Sequence, residues 1–113
     1  MPVGEYTSPD GQLKLLITCP DGDWTVGFDG FPWHTHGSIL ADLSGQDEVS
    51  AVESFVADLT TNVSVICLRR TAGKLTAAWV SDDPPTDLLD HERYGEPNET
   101  IEFRYWDGTT VTV

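Results

Sequence analysis

The sequence predicts an α+β fold, a mostly antiparallel β-sheet with one main helix packed on one face, in a single domain over residues 1–113. Asp-Gly dipeptides separate short segments in which apolar and polar residues alternate, and this pattern is typical of β-hairpins. One segment, residues 46–60, places its apolar residues at helical spacing instead. Hydrophobic residues make up 39% of the chain, which is enough to form a core rather than a disordered acidic tail.

Three strands are predicted before the helix, over residues 3–8, 12–19 and 23–29. The turns between them carry Asp10-Gly11 and Asp21-Gly22, because glycine accepts a positive φ and aspartate can bond its own backbone. In the second strand Leu13, Leu15 and Ile17 fall on one face. These residues are expected to face the core.

The helix is predicted near residues 47–60. Asp47 near its start suits the helix dipole, and Asn62 is a plausible stop. The apolar stripe consists of Val49, Val52, Phe55, Val56 and Leu59. We expect the last four of these to be buried against Leu13, Leu15, Ile17, Val65 or Trp79.

The strand pattern then returns at residues 63–69 and 75–80, with a glycine-containing hairpin loop at 70–74. The acidic stretch 81–99 contains Pro84-Pro85 and is predicted to be a loop, in which a short helical turn could form. A final hairpin is predicted from residues 101–106 and 109–113, around Asp107-Gly108. The predicted order is therefore βββ-α-ββ-loop-ββ.

The charge of the chain is strongly negative and unevenly distributed. The net charge is −13, and residues 81–102 hold eight acids and one arginine, a net of −7. Such a field repels nucleic acid and anionic membranes and attracts a basic protein. The predicted partner-binding residues are the acids of the 81–99 loop, namely Asp82, Asp83, Asp87, Asp90, Glu92, Glu96 and Glu99.

The cysteines and the N-terminus predict a cytoplasmic protein. The chain begins without a basic and apolar leader, and it has no run of about 18 apolar residues. Cys19 and Cys67 each lie in an apolar run, so we expect free thiols that behave as small hydrophobes. A disulfide between adjacent strands stays open, since the sequence sets no distance between the two.

The segment around His34 and His36 is the one candidate for a metal site. In an extended strand the two imidazoles point to the same side and can ligate a metal, but no third ligand follows from the sequence. The acids after residue 81 lack the spacing of a calcium loop, and no catalytic motif is present. We therefore predict no metal, no cofactor and no enzymatic activity.

In size, acidity, simple α+β plan and lack of a catalytic motif, the chain resembles the small acidic immunity proteins of bacterial toxin systems. The resemblance is one of general character and involves no shared motif. It implies a non-catalytic inhibitor that binds a basic partner such as a toxin nuclease. Two alternatives stay open: a small-ligand-binding or homodimerising module that uses an open sheet face, and a metal-dependent small enzyme centred on His34 and His36.

Overall fold

The computed structural model describes residues 3–113, which form two four-stranded antiparallel sheets and three α-helices. The strands are β1 Gly4–Thr7, β2 Lys14–Thr18, β3 Thr25–Phe28, β4 His34–His36, β5 Val65–Thr71, β6 Lys74–Ser81, β7 Glu99–Arg104 and β8 Thr110–Val111. The helices are α1 Gly37–Ser44, α2 Glu48–Thr60 and α3 Pro84–Tyr94. A short 3₁₀ turn, Pro20–Gly22, separates β2 from β3.

The first sheet has the strand order β1-β2-β3-β4 and is built from sequential hairpins. Leu15 pairs with Phe28 and Ile17 with Val26, and all four side chains are buried on the inner face. Gly11 adopts a φ of 74° in the β1–β2 turn, a conformation that favours glycine. The predicted N-terminal meander is therefore present.

Helix α2 closes the inner face of the first sheet. It begins after Asp47, whose side chain accepts a hydrogen bond from the Ser50 backbone N–H at 2.8 Å. It ends at Thr60, two residues before Asn62, which adopts a left-handed φ of 65°. Val52, Val56 and Leu59 are buried in the core as predicted, whereas Phe55 is half-buried against it.

The second sheet has the order β6-β5-β7-β8, so β5 pairs with both β6 and β7. On its inner face, Ile66 and Leu68 lie opposite Val80 and Ala78 and complete the core shared with α2 and the first sheet. On its outer face, Cys67 lies opposite Trp79 and Phe103, and Arg69 lies opposite Ile101. Helix α3 lies over this outer face.

The buried Arg104 connects the two sheets. It pairs with Asp10 in the β1–β2 turn and donates to the backbone oxygens of Tyr105 at 2.9 Å and Trp106 at 2.8 Å. The hydrogen bond from Arg104 is the main reason that the pKa of Asp10 lies well below its ordinary value. This ion pair therefore holds the first turn against the second sheet.

The α+β class and the antiparallel pairing are confirmed. Three features differ from the sequence prediction: the strands divide into two sheets, β4 and α1 are added between β3 and α2, and residues 84–94 form α3 within the stretch that was expected to be a loop. No helix of residues 3–113 is long and apolar enough to cross a membrane.

Both cysteines are free, as predicted. Cys19 is half-buried and Cys67 is fully buried. Burial raises the pKa of the Cys67 thiol to about 12, and the negative charge of Asp87 acts in the same direction. Cys67 is therefore a packing residue and not a nucleophile.

Candidate functional site

Helix α3 carries most of the predicted partner-binding acids, and its start explains why it forms. Asp83 is the N-cap: its carboxylate accepts from the Thr86 hydroxyl at 2.8 Å and from the Thr86 backbone N–H at 3.3 Å. Pro84 and Pro85 fill the first helical positions, where a missing backbone N–H costs nothing. The two prolines, which led to the prediction of a loop, thus lie in the first turn of a helix.

A stripe of half-buried residues on α3 faces the second sheet: Pro84, Asp87, Leu88 and His91. Asp87 makes the polar contact, since its Oδ2 accepts from Trp79 Nε1 at 3.0 Å and from the Ser81 hydroxyl at 2.6 Å. Both donors lie on β6. Asp87 therefore fixes α3 to the sheet, a role that the sequence did not predict.

The seven predicted acids fall into different environments. Asp82, Asp83, Asp90, Glu92 and Glu96 are exposed, whereas Asp87 and Glu99 are half-buried. Within residues 3–113 none of the seven forms an ion pair with a lysine, arginine or histidine. Three of the basic residues pair elsewhere, as Lys14–Glu5, Arg70–Glu102 and Arg104–Asp10. Arg93 is the one lysine or arginine on α3, and it forms no ion pair with these acids. The acids around α3 therefore outnumber the basic residues there and are left without ion-pair partners among the described residues.

Two exposed apolar side chains accompany these acids. Tyr94 at the end of α3 is 78% exposed, and Leu89 on its outer side is 43% exposed. The four tryptophans are buried (Trp106) or half-buried (Trp24, Trp33 and Trp79). The surface of α3 therefore combines unpaired carboxylates with an aromatic side chain.

A pocket of about 300 Å³ opens between α3 and the outer face of the second sheet. It is lined by Arg69, Trp79, Asp87, Asp90, His91, Tyr94, Gly95, Glu99 and Ile101. Arg69 is its only lysine or arginine, and within residues 3–113 its buried Nε has no hydrogen-bond partner. Its neighbour Arg70 pairs with Glu102, but no described carboxylate lies within ion-pair distance of Arg69.

Gly95 forms the edge of this pocket, where the chain leaves α3. A Cβ at this position would lie 2.5 Å from the backbone oxygen of His91 and 2.7 Å from its Nδ1. No side chain fits there without a shift of the backbone. Glycine therefore permits the tight exit that keeps the pocket open.

His34 and His36 lie in β4 with their rings 4.9 Å apart, on the same side as expected. Each ring already has a partner: His34 Nδ1 bonds the Pro32 oxygen at 2.9 Å, and His36 Nδ1 lies 3.2 Å from Asp23. Over residues 3–113 there is no group of three histidine, cysteine or acidic side chains arranged to hold a metal ion. The geometry does not favour this segment as a metal centre.

Comparison of the chain with protein-family models, with curated proteins and with solved structures found no significant match.

The sequence contained one signal for α3 that was not used. Asp83-Pro84-Pro85-Thr86 has a capping residue followed by prolines at the first helical turn, a typical helix start. The pocket had no comparable signal, because it depends on the pairing of β5 with β7 across about thirty residues of intervening chain.

Proposed function

We propose that the protein is a non-catalytic inhibitor of the immunity type, which binds a basic protein such as a toxin nuclease through the exposed surface of α3. The binding surface consists of Asp82, Asp90, Glu92, Glu96, Leu89 and Tyr94, called the α3 surface below. The observation that carries the proposal is that the carboxylates of this surface have no basic partner within residues 3–113.

Unpaired surface charge of one sign acts mainly on the rate at which a protein associates with its partner. A nuclease presents lysine and arginine to hold phosphates, and an acidic surface attracts that same region and can cover it. Complementary charge accelerates encounter and excludes wrong partners more than it contributes affinity. The net charge of −13 extends this attraction beyond the contact itself.

Tight binding also requires side chains that become buried at the interface when the partner binds. Tyrosine is enriched among the residues that dominate interfaces, and Tyr94 is the most exposed aromatic side chain of the described residues. Asp90 precedes it by one helical turn and lies on the same side of α3. The proposal therefore assigns the anchor to Tyr94 and the steering to the carboxylates around it.

The test compares two variants with the same net charge. In one, Asp82→Asn, Asp90→Asn, Glu92→Gln and Glu96→Gln neutralise the α3 surface. In the control, Asp21→Asn, Asp29→Asn, Asp42→Asn and Asp58→Asn neutralise four exposed acids on the first sheet, α1 and α2. Asp83 and Asp87 stay intact because they cap and fix α3. Both sets take the net charge from −13 to −9.

The parent and both variants are immobilised and used to capture proteins from the lysate of the native host. The proposal predicts that the parent and the control retain a basic protein that the α3 variant loses, and that the captured protein loses its toxic or nucleolytic activity in the complex. A captured protein of acidic or neutral charge, or equal capture by both variants, contradicts the proposal.

A further inference from the structure

The pocket between α3 and the second sheet shares Asp90 and Tyr94 with the α3 surface, but it also contains Arg69 and Glu99, which the proposed function does not use. Arg69 lies on the sheet side of the pocket, with Ile101 opposite it on β7. Three carboxylates line the same pocket: Asp87, Asp90 and Glu99. Glu99 lies two residues before Ile101 on β7, so it shares the face of Arg69 and is its diagonal neighbour. Positive and negative groups therefore line one small space without pairing with each other.

Each of these groups has unused hydrogen-bonding capacity. The buried Nε of Arg69 has no partner within residues 3–113, although most buried polar groups in proteins are bonded. Asp87 is held by Trp79 and Ser81, and both of those bonds end on one oxygen, Oδ2. The side chain of Asp90 makes no hydrogen bond to the described residues. Glu99 Oε2 accepts from the Glu96 backbone N–H at 3.3 Å, and its other oxygen accepts from none of the described residues. The pocket therefore offers a ligand one guanidinium donor group and several carboxylate acceptors.

A singly charged ligand complements only one of these two kinds of group. A simple anion would satisfy Arg69 but would face three carboxylates in a space of about 300 Å³. A simple cation would satisfy the carboxylates but would leave Arg69 unpaired beside it. A ligand with both charges meets both demands, and Trp79, Tyr94 and Ile101 supply apolar surface for the rest of it.

We propose that this pocket binds a small zwitterion of the amino-acid type, with the ligand carboxylate on Arg69 and the ligand ammonium group on Asp90 and Glu99. Arginine recognises a carboxylate through paired N–H donors, and carboxylates accept the three donors of an ammonium group. The volume of about 300 Å³ lies at the lower end of the range of small-ligand pockets, about 300–1,000 Å³, which suits a ligand of amino-acid size. The site is distinct in chemistry from the α3 surface, and its occupant does not depend on a basic partner.

The experiment titrates the ¹⁵N-labelled protein with each of the twenty free L-amino acids and follows the indole N–H of Trp79, which borders the pocket. For the amino acid that binds best, the amide and the N-acetyl derivative remove one charge each. We expect saturable binding of the zwitterion and at least tenfold weaker binding of both derivatives, because each loses one charge-assisted contact. Acetate and methylamine test the singly charged alternatives.

Two variants locate the site, and each has a matched control. Arg69→Met and Glu99→Gln should each weaken binding at least tenfold. Lys74→Met and Glu92→Gln remove the same charges at exposed positions outside the pocket and should stay within about twofold of the parent. If Arg69→Met does not fold, Glu99→Gln and the two derivatives still decide the question.

Three results overturn the proposal. One is the absence of saturable binding of any amino acid at concentrations up to the millimolar range. Another is binding of acetate or methylamine as strong as that of the zwitterion. The third is binding that survives both pocket variants unchanged. Asp90 and Tyr94 belong to both the pocket and the α3 surface. The two proposals are therefore separated by Arg69→Met and Glu99→Gln, which leave the α3 surface intact, and by Glu92→Gln and Glu96→Gln, which lie outside the pocket.

Discussion

Two arginines of the second sheet show how differently its two faces are built. Arg104 on the inner face is 4% exposed, and its donors meet Asp10 and the backbone oxygens of Tyr105 and Trp106. Arg69 on the outer face is half-buried beside carboxylates, but none of the described ones pairs with it. The same residue type is satisfied on one face and unsatisfied on the other.

The difference separates a region with a structural role from the region to which we assign the proposed function. Buried charges in proteins are ordinarily paired, since an unpaired one costs much of its hydration free energy. Arg104 on the inner face follows this rule and joins the two sheets. On the outer face the buried Nε of Arg69 has no partner within residues 3–113, and this atom belongs to the pocket beside the acids of α3. Both proposals therefore concern α3 and the pocket between α3 and the sheet.

The largest stability effect should come from Arg104→Met. Removal of the guanidinium takes the charged donor from Asp10 Oδ2 and the side-chain donor from the Trp106 backbone oxygen. Asp10 Oδ1 keeps its bonds from Ser8 and Gln12, and the Tyr105 oxygen keeps the Gly108 N–H. The expected loss is about 3 kcal/mol of the free energy of unfolding. Arg69→Met is the matched control, because it removes the same group where no described partner is lost, and it should cost about 1 kcal/mol or less. Urea unfolding measures both. Equal losses for the two variants would remove the contrast between the faces.

A smaller loss is expected at the contact that holds α3 to the outer face. Asp87→Ala leaves the half-buried indole N–H of Trp79 and the hydroxyl of the buried Ser81 without an acceptor and should cost about 2 kcal/mol. Asp90 lies three residues further along the same helix and is exposed, so Asp90→Ala should change the free energy of unfolding by about 0.5 kcal/mol or less. A neutral result for Asp87→Ala would show that α3 is held by its apolar contacts instead.

The Arg104–Asp10 ion pair should also affect how the free energy of unfolding depends on pH in the acid range. Because the folded-state pKa of Asp10 lies below its unfolded value, its contribution is present above the unfolded pKa of about 4 and is lost as pH falls toward the folded pKa. Asp10→Asn keeps an acceptor but loses the charge, so we expect a loss of about 1 kcal/mol at pH 7 and a flatter decline below pH 4. Unfolding at a series of pH values provides the measurement. Parallel curves for parent and variant would exclude this role for Asp10.

The parts of the fold that depend on local pattern were predictable. Asp-Gly turns and alternating strands placed the hairpins, and apolar residues at helical spacing placed α2 within two positions of its observed start. Helix α3 was missed because its inward residues include Asp87 and His91, so its stripe is not apolar. Its capping residue and two prolines were the available signal.

The parts that depend on distant pairing were not predictable. The contact of Arg104 with Asp10 joins residues at opposite ends of the chain, and no local pattern specifies it. The acids of residues 82–99 are close together in the sequence, but the sequence could not show that Asp83 caps a helix and that Asp87 accepts a hydrogen bond from the sheet. Only the assembled second sheet shows which carboxylates are left for a partner.

The proposed function requires that the acids of the α3 surface steer a basic protein to the exposed side of α3. The most direct measurement is the association rate constant of the captured partner with the parent, the α3 surface variant and the equally charged control, at several salt concentrations. We predict that the α3 surface variant associates at least tenfold more slowly at low salt, that the control associates nearly as fast as the parent, and that the difference shrinks as screening approaches about 8 Å at physiological ionic strength. Equal rates for the two variants at low salt would contradict the claim.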